Sequence, residues 1–149
     1  MSDILFTYPS GQLSLPFTLH GMGLYHTQES IRRPQGMPLF QWIQSVSGQG
    51  RLYLKGREYT IAPGEGIFLY PDEGHMYHSF GGSQPWIVHF ICFSGYGVEP
   101  LAKESIFKTS GVFTLTEENQ TAALLEKMSK ASPMAPSAAT AFYSGILYE

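Results

Sequence analysis

Few side chains in this sequence have a type and a spacing that could do chemistry. Five histidines are present, His20, His26, His75, His78 and His89. A transition-metal site normally takes about three or four nitrogen, oxygen or sulfur ligands. His75 and His78 fall on opposite faces of any strand that carries both, and His20 and His26 belong to an earlier segment. No metal and no cofactor is therefore expected, an unconventional histidine site being the alternative. The single cysteine, Cys92, lies in Ile87-Val88-His89-Phe90-Ile91-Cys92-Phe93. In such an apolar strand a thiol is usually a small inert hydrophobe, and His89 points to the other face. No glycine-rich phosphate loop with a following Lys-Ser/Thr occurs.

Hydrogen bonding and stacking remain. Arg33 precedes Pro34, which holds it extended. Its guanidinium offers donors suited to a hydroxyl-rich or carboxylate ligand; the other reading is a solvated loop arginine. Tyr77 gives a ring and a hydroxyl, or else it is a core tyrosine. His75 shares its face by the period of two, as a contact or as a satisfied structural residue. Trp42, on one face with Gln44, could be a stacking platform or ordinary core.

The elements that must position these residues are short strands. Phe40 to Ser47 reads as a strand, turned back by Ser47-Gly48-Gln49-Gly50. Arg51 to Leu54 and Arg57 to Ile61 flank a Lys55-Gly56 hairpin turn. Ala62-Pro63-Gly64-Glu65-Gly66 is a second tight turn, Ile67 to Tyr70 a short buried run, and Trp86 to Phe93 the longest strand. Residues 1–17 read as an extended arm, neither helix nor regular strand. From Thr116 onward the texture turns helical. Ser132-Pro133 breaks a first helix, and a second carries the stripe Ala138, Ala141, Phe142, Gly145 and Ile146 to Glu149. It ends without a stop signal, as if cut from a longer chain. The organisation expected is an arm over 1–17, a ligand-binding barrel over 18–112 and a helical dimerisation segment over 113–149.

The bulk numbers agree with a folded β-rich domain. Of the 149 residues, 43% are hydrophobic and 14% charged, and 14% are aromatic among 16 Gly and 10 Pro. The formal charge of −3 argues against nucleic acid as a direct partner of this segment. The first residues lack a signal-peptide pattern, and no apolar run approaches the ~18 residues of a membrane helix. The cytoplasm is the expected compartment, with no membrane partner.

Several spaced motifs resemble the sensor domain of bacterial AraC-type transcription regulators. They are Arg33-Pro34-x-Gly36-Met37, Ser47-Gly48-x-Gly50, Gly56-Arg57-Glu58-Tyr59-x-Ile61-x-Pro63-Gly64, Leu69-x-Pro71-x-x-x-His75-x-Tyr77 and Trp86 through Phe93-Ser94-Gly95. The resemblance runs over about residues 20 to 149. It implies a mainly β fold, a cupin-like β-barrel (jelly roll) with two C-terminal α-helices. It also implies a small-molecule ligand, often a sugar, held in the barrel, and a homodimer made through the helices. DNA is bound in that family only by a separate C-terminal helix-turn-helix domain, which this chain does not contain. Arg33 would then reach the ligand, and Val88 and Phe90 would line the pocket. With Trp42, His75 and Tyr77 they complete the candidate ligand-binding set. Cupin folds often hold a metal through two His and a Glu on one strand pair plus a later His. His75 could be that later ligand, but the segment from Met37 to Gly56 has no His, Asp or Glu. A small cupin enzyme, an isomerase or dioxygenase, is accordingly the alternative to a non-enzymatic sensor, and a purely structural dimerisation domain is a third reading.

Overall fold

The computed structural model describes residues 17–82 and 84–114, together with the backbone of a strand at 3–6. Ten strands and one short helix follow in order. They are β1 (Asp3–Phe6), β2 (Thr18–Thr27), β3 (Ile31–Arg33), β4 (Phe40–Ser47), β5 (Gly50–Leu54), β6 (Arg57–Ile61), β7 (Glu65–Leu69), β8 (His75–Ser79), β9 (Ile87–Ser94), α1 (Val98–Lys103) and β10 (Gly111–Thr114). The six-stranded sheet has the order β1-β2-β9-β4-β7-β10 and the four-stranded sheet β3-β8-β5-β6. Every pairing is antiparallel.

Turn chemistry sets this topology. Lys55 and Gly56 both take positive φ, 53° and 76°, the left-handed pair that a two-residue hairpin needs. At Gly48 the backbone passes so close to Pro85 that a Cβ would collide with its carbonyl. The mainly β reading stands, but a closed barrel does not: among the described residues no strand of one sheet pairs with the other. The molecule is a sandwich of two facing antiparallel sheets. The two expected C-terminal helices fall on 115–149, outside the described residues. The arm, expected to lack regular structure, contributes β1, because an extended backbone can pair with the open edge of β2.

Two apolar layers hold the sheets. Between them pack Ile43, Leu52, Leu54, Ile61, Ile67, Leu69, Tyr77, Trp86 and Val88. Trp86 is 0% exposed, lies over Gly50 where a Cβ would strike its ring, and donates its indole N–H to Ser45 Oγ at 3.0 Å. On the outer face of the six-stranded sheet, Phe17, Phe40, Trp42, Phe68 and Phe93 meet Val98 and Ala102 of α1. The aromatic richness is thus divided between two layers.

Gly66 is where the outer layer is tightest, since a Cβ there would overlap the Trp42 ring. Overpacking of this kind typically costs about 1–3 kcal/mol. Gly66→Ala is expected to lose stability by that amount in a urea titration, whereas Gly56→Ala, with open space around its Cβ, should lose only the about 1–2 kcal/mol that its positive φ imposes on a residue with a Cβ.

Candidate functional site

The register of the four-stranded sheet brings the first candidates together. Arg33 pairs directly with His75, and Ile31 with Tyr77. Alternation along β8 turns His75 and Tyr77 inward and leaves Met76 and His78 less buried. From the opposite sheet, β4 presents Gln41 to the same space. Arg33 Nη1 lies 3.3 Å from Gln41 Oε1, 3.2 Å from His75 Nε2 and 3.3 Å from Tyr77 OH. A single amino nitrogen with two hydrogens thus serves acceptors from both sheets. Gln41, His75 and Tyr77 are 3%, 5% and 2% exposed, while Arg33 is half-buried.

Among the described residues, the groups that touch the guanidinium are neutral ones. The His75 Nδ1–H donates to the Glu73 carbonyl at 3.0 Å, so its Nε2 lone pair faces Arg33. Burial lowers the His75 pKa, the bond to Glu73 partly opposes this, and the Arg33 charge lowers it further. The unfolded chain therefore takes up the proton first, and the stability held by neutral His75 is lost as pH falls from the ordinary histidine value of 6.5 through the folded one. Burial raises the Tyr77 pKa, against the opposing pull of Arg33 and Gln41. Burial also raises the Cys92 pKa, with Gln41 and Arg33 pulling the other way. Cys92 is thus close enough to belong to the cluster as a neutral thiol.

The remaining candidates separate. Val88 is fully buried in the layer between the sheets, and Phe90 packs at its margin. The Phe90 ring lies over Gly23 and meets His26 edge-on, with centroids 5.3 Å apart. Trp42 does not join them. It points through the other face of β4, 5.6 Å from Phe107, and belongs to the layer under α1. The expectation for Trp42 is corrected accordingly: a period of two places it opposite Gln41 and Ile43.

Gln41 and Cys92 are the members that sequence reasoning missed. β4 is buried on both faces over Phe40–Ser45, so its pattern shows no alternation from which an inward side could be chosen. The signal for Cys92 was its two-residue offset from Phe90. Among the described residues no group of three or more His, Cys, Asp or Glu is arranged to hold a metal. A shallow depression of about 440 Å³ lies on the other side of the four-stranded sheet, between Arg32, Tyr53, Arg57 and Met76. Of the polar cluster only His75 borders it, so it is a separate surface feature.

Comparison with known proteins places the chain. A family model described as the AraC-like ligand binding domain matches residues 23–148. The arabinose operon regulatory protein of Escherichia coli (strain K12) is 32% identical over 92 residues, covering 60% of this chain and 32% of that protein. The chain thus spans about a third of the length of that curated relative. Among solved structures, the protein YhaK from Escherichia coli superposes with a TM-score of 0.53 at 10% identity, over 78% of this chain and 52% of that one. A Cupin 2 conserved barrel domain protein from Leptotrichia buccalis gives a TM-score of 0.47 at 10% identity, over 78% and 45%. At such identity the likeness to YhaK is one of fold alone. No helix among the described residues is long and apolar enough to cross a membrane.

Proposed function

This chain belongs to the AraC-like ligand binding domain family, and from that membership we propose that it is the ligand-sensing part of an AraC-type transcriptional regulator. It binds a small polar metabolite between its two sheets, with a carbohydrate the favoured class, and has no enzymatic activity. Support comes chiefly from Arg33, whose guanidinium stands among Gln41, His75 and Tyr77 where the sheets face each other. Such a set offers donors and acceptors to hydroxyl groups, while the Phe90 ring offers a wall for the C–H side of a sugar. Catalysis has little support in the same groups: burial raises the Cys92 pKa, and the His75 lone pair faces a cation.

In this reading the ligand controls DNA binding by a helix-turn-helix domain of the regulator, in the bacterial cytoplasm. The acidic balance of the present segment, −3, suits a sensor better than a DNA-binding surface. The segment over 113–149 would join two copies through the stripe Ala138, Ala141, Phe142, Gly145 and Ile146, which is too apolar to face water along its length.

A metabolite screen by thermal shift should identify a stabilising ligand. Arg33→Ala and Tyr77→Phe should each then weaken binding by about 1–3 kcal/mol, the cost of leaving a buried partner unpaired. Both substitutions leaving affinity intact would remove the site from this cluster. For the dimer, Phe142→Asp should shift sedimentation toward the monomer; an unchanged profile would place the interface elsewhere.

A further inference from the structure

Among the described residues Arg33 is a cation without an anion. Its Nη1 contacts only the neutral Gln41, His75 and Tyr77, and no ion pair to it is formed among the described residues. The half-buried Glu65 and Glu73 and the exposed Glu29 and Glu58 are already engaged elsewhere. Glu73 is held by Lys55 at 3.3 Å and by the Ser110 hydroxyl. Glu65 accepts from the Ala62 N–H at 2.7 Å. Glu58 pairs with Arg51 and Glu29 with His26, each at 3.0 Å. Asp72, Glu99 and Glu104 are exposed. A half-buried cation gains from a counter-charge more than its neutral hydrogen bonds supply.

The unused part of the guanidinium says what would complete the arrangement. All three contacts go to Nη1, while Nε and Nη2, which are not among the buried donors lacking a partner, belong to the accessible part of a half-buried side chain. Those two nitrogens form the edge of the fork that matches both oxygens of a carboxylate. His75 and Tyr77 stand beside it with rings 5.8 Å apart and nearly parallel, at 9°. Together with Gln41 they are placed to take hydroxyl groups on the same molecule.

We infer that the site between the sheets takes a small hydroxylated carboxylate, an acidic sugar in preference to a neutral one, with its carboxylate paired two-pronged to the Nε and Nη2 edge of Arg33. This rests on the reading of the cluster as the ligand site and narrows its ligand class. Folding has already oriented the half-buried guanidinium, so an anion gains a charge-assisted pairing that a neutral hydroxyl does not.

The test uses D-galacturonate and D-galactose, which differ only in a terminal carboxylate against a hydroxymethyl group, with sodium chloride and sodium acetate at equal ionic strength as controls. Calorimetry and thermal melts should show galacturonate binding about tenfold or more tighter than galactose, as a charge-assisted bond exceeds a neutral one, and neither salt reproducing its shift. Arg33→Met should abolish the difference between the two sugars, and because it also leaves Gln41, His75 and Tyr77 without their shared partner it should lower the melting point of the free protein. Arg33→Lys, which keeps the charge but not the fork, should fall between. Galactose binding equally well through Arg33 would overturn the carboxylate while leaving the pocket in place. Galacturonate affinity surviving Arg33→Met, or a shift matched by the salts, would overturn the pairing itself. If neither sugar binds, the inference fails for this class, and the metabolite screen then decides the pocket separately.

Discussion

A charged guanidinium can stand between two apolar sheets only where neutral polar groups from both sides converge on it, and this constraint organises the centre of the molecule. The Arg33 contacts reach β8 on its own sheet and β4 on the other. They therefore depend on the register of β3 against β8, in which Arg33 faces His75, and on the phase of β4. Slipping either strand by one residue would turn the polar member outward. Around the cluster the apolar residues of the inter-sheet layer exclude water, which keeps Tyr77 and Cys92 neutral and disfavours charge on His75.

The second apolar layer protects that phase from outside. Trp42, Phe40, Phe68 and Phe93 pack beneath α1, and Phe107 and Phe113 close around them. Because β4 is clamped on both faces, its inward residues cannot rotate without expelling Trp42. The Trp86 to Ser45 hydrogen bond pins the far end of the same strand. Rigidity here comes from burying aromatic rings on the side away from the polar site, so that the site itself can keep hydrogen-bonding groups in place of packing.

Much of this was legible in the residues. Lys55-Gly56 announced its hairpin because two consecutive left-handed residues suit few other places, and the flanking strand Arg57–Ile61 fell where expected. His75 and Tyr77 share a face by simple alternation, and Arg33 joined them because Pro34 ends its strand beside them. What escaped was hidden for physical reasons. A strand buried on both faces carries no period, so nothing in the sequence marked Gln41, and Trp42 was named in its place. The helix α1 is six residues long with Pro100 in its first turn, too short to leave a helical repeat. β1 pairs by backbone alone, which side-chain patterns do not encode. The resemblance supplied the family, while the closed barrel it implied is an open sandwich among the described residues.

Nitrogen-15 NMR of the His75 ring is the sharpest test that the neutral polar cluster around Arg33 is the ligand site. The expected spectrum is that of a neutral imidazole with its proton on Nδ1, titrating below the ordinary value of 6.5. Ligand addition is expected to displace the Nε2 resonance while leaving His78, on the outer side of β8, unmoved. A protonated His75 at neutral pH, or a ligand that shifts His78 and not His75, would contradict this assignment of the site.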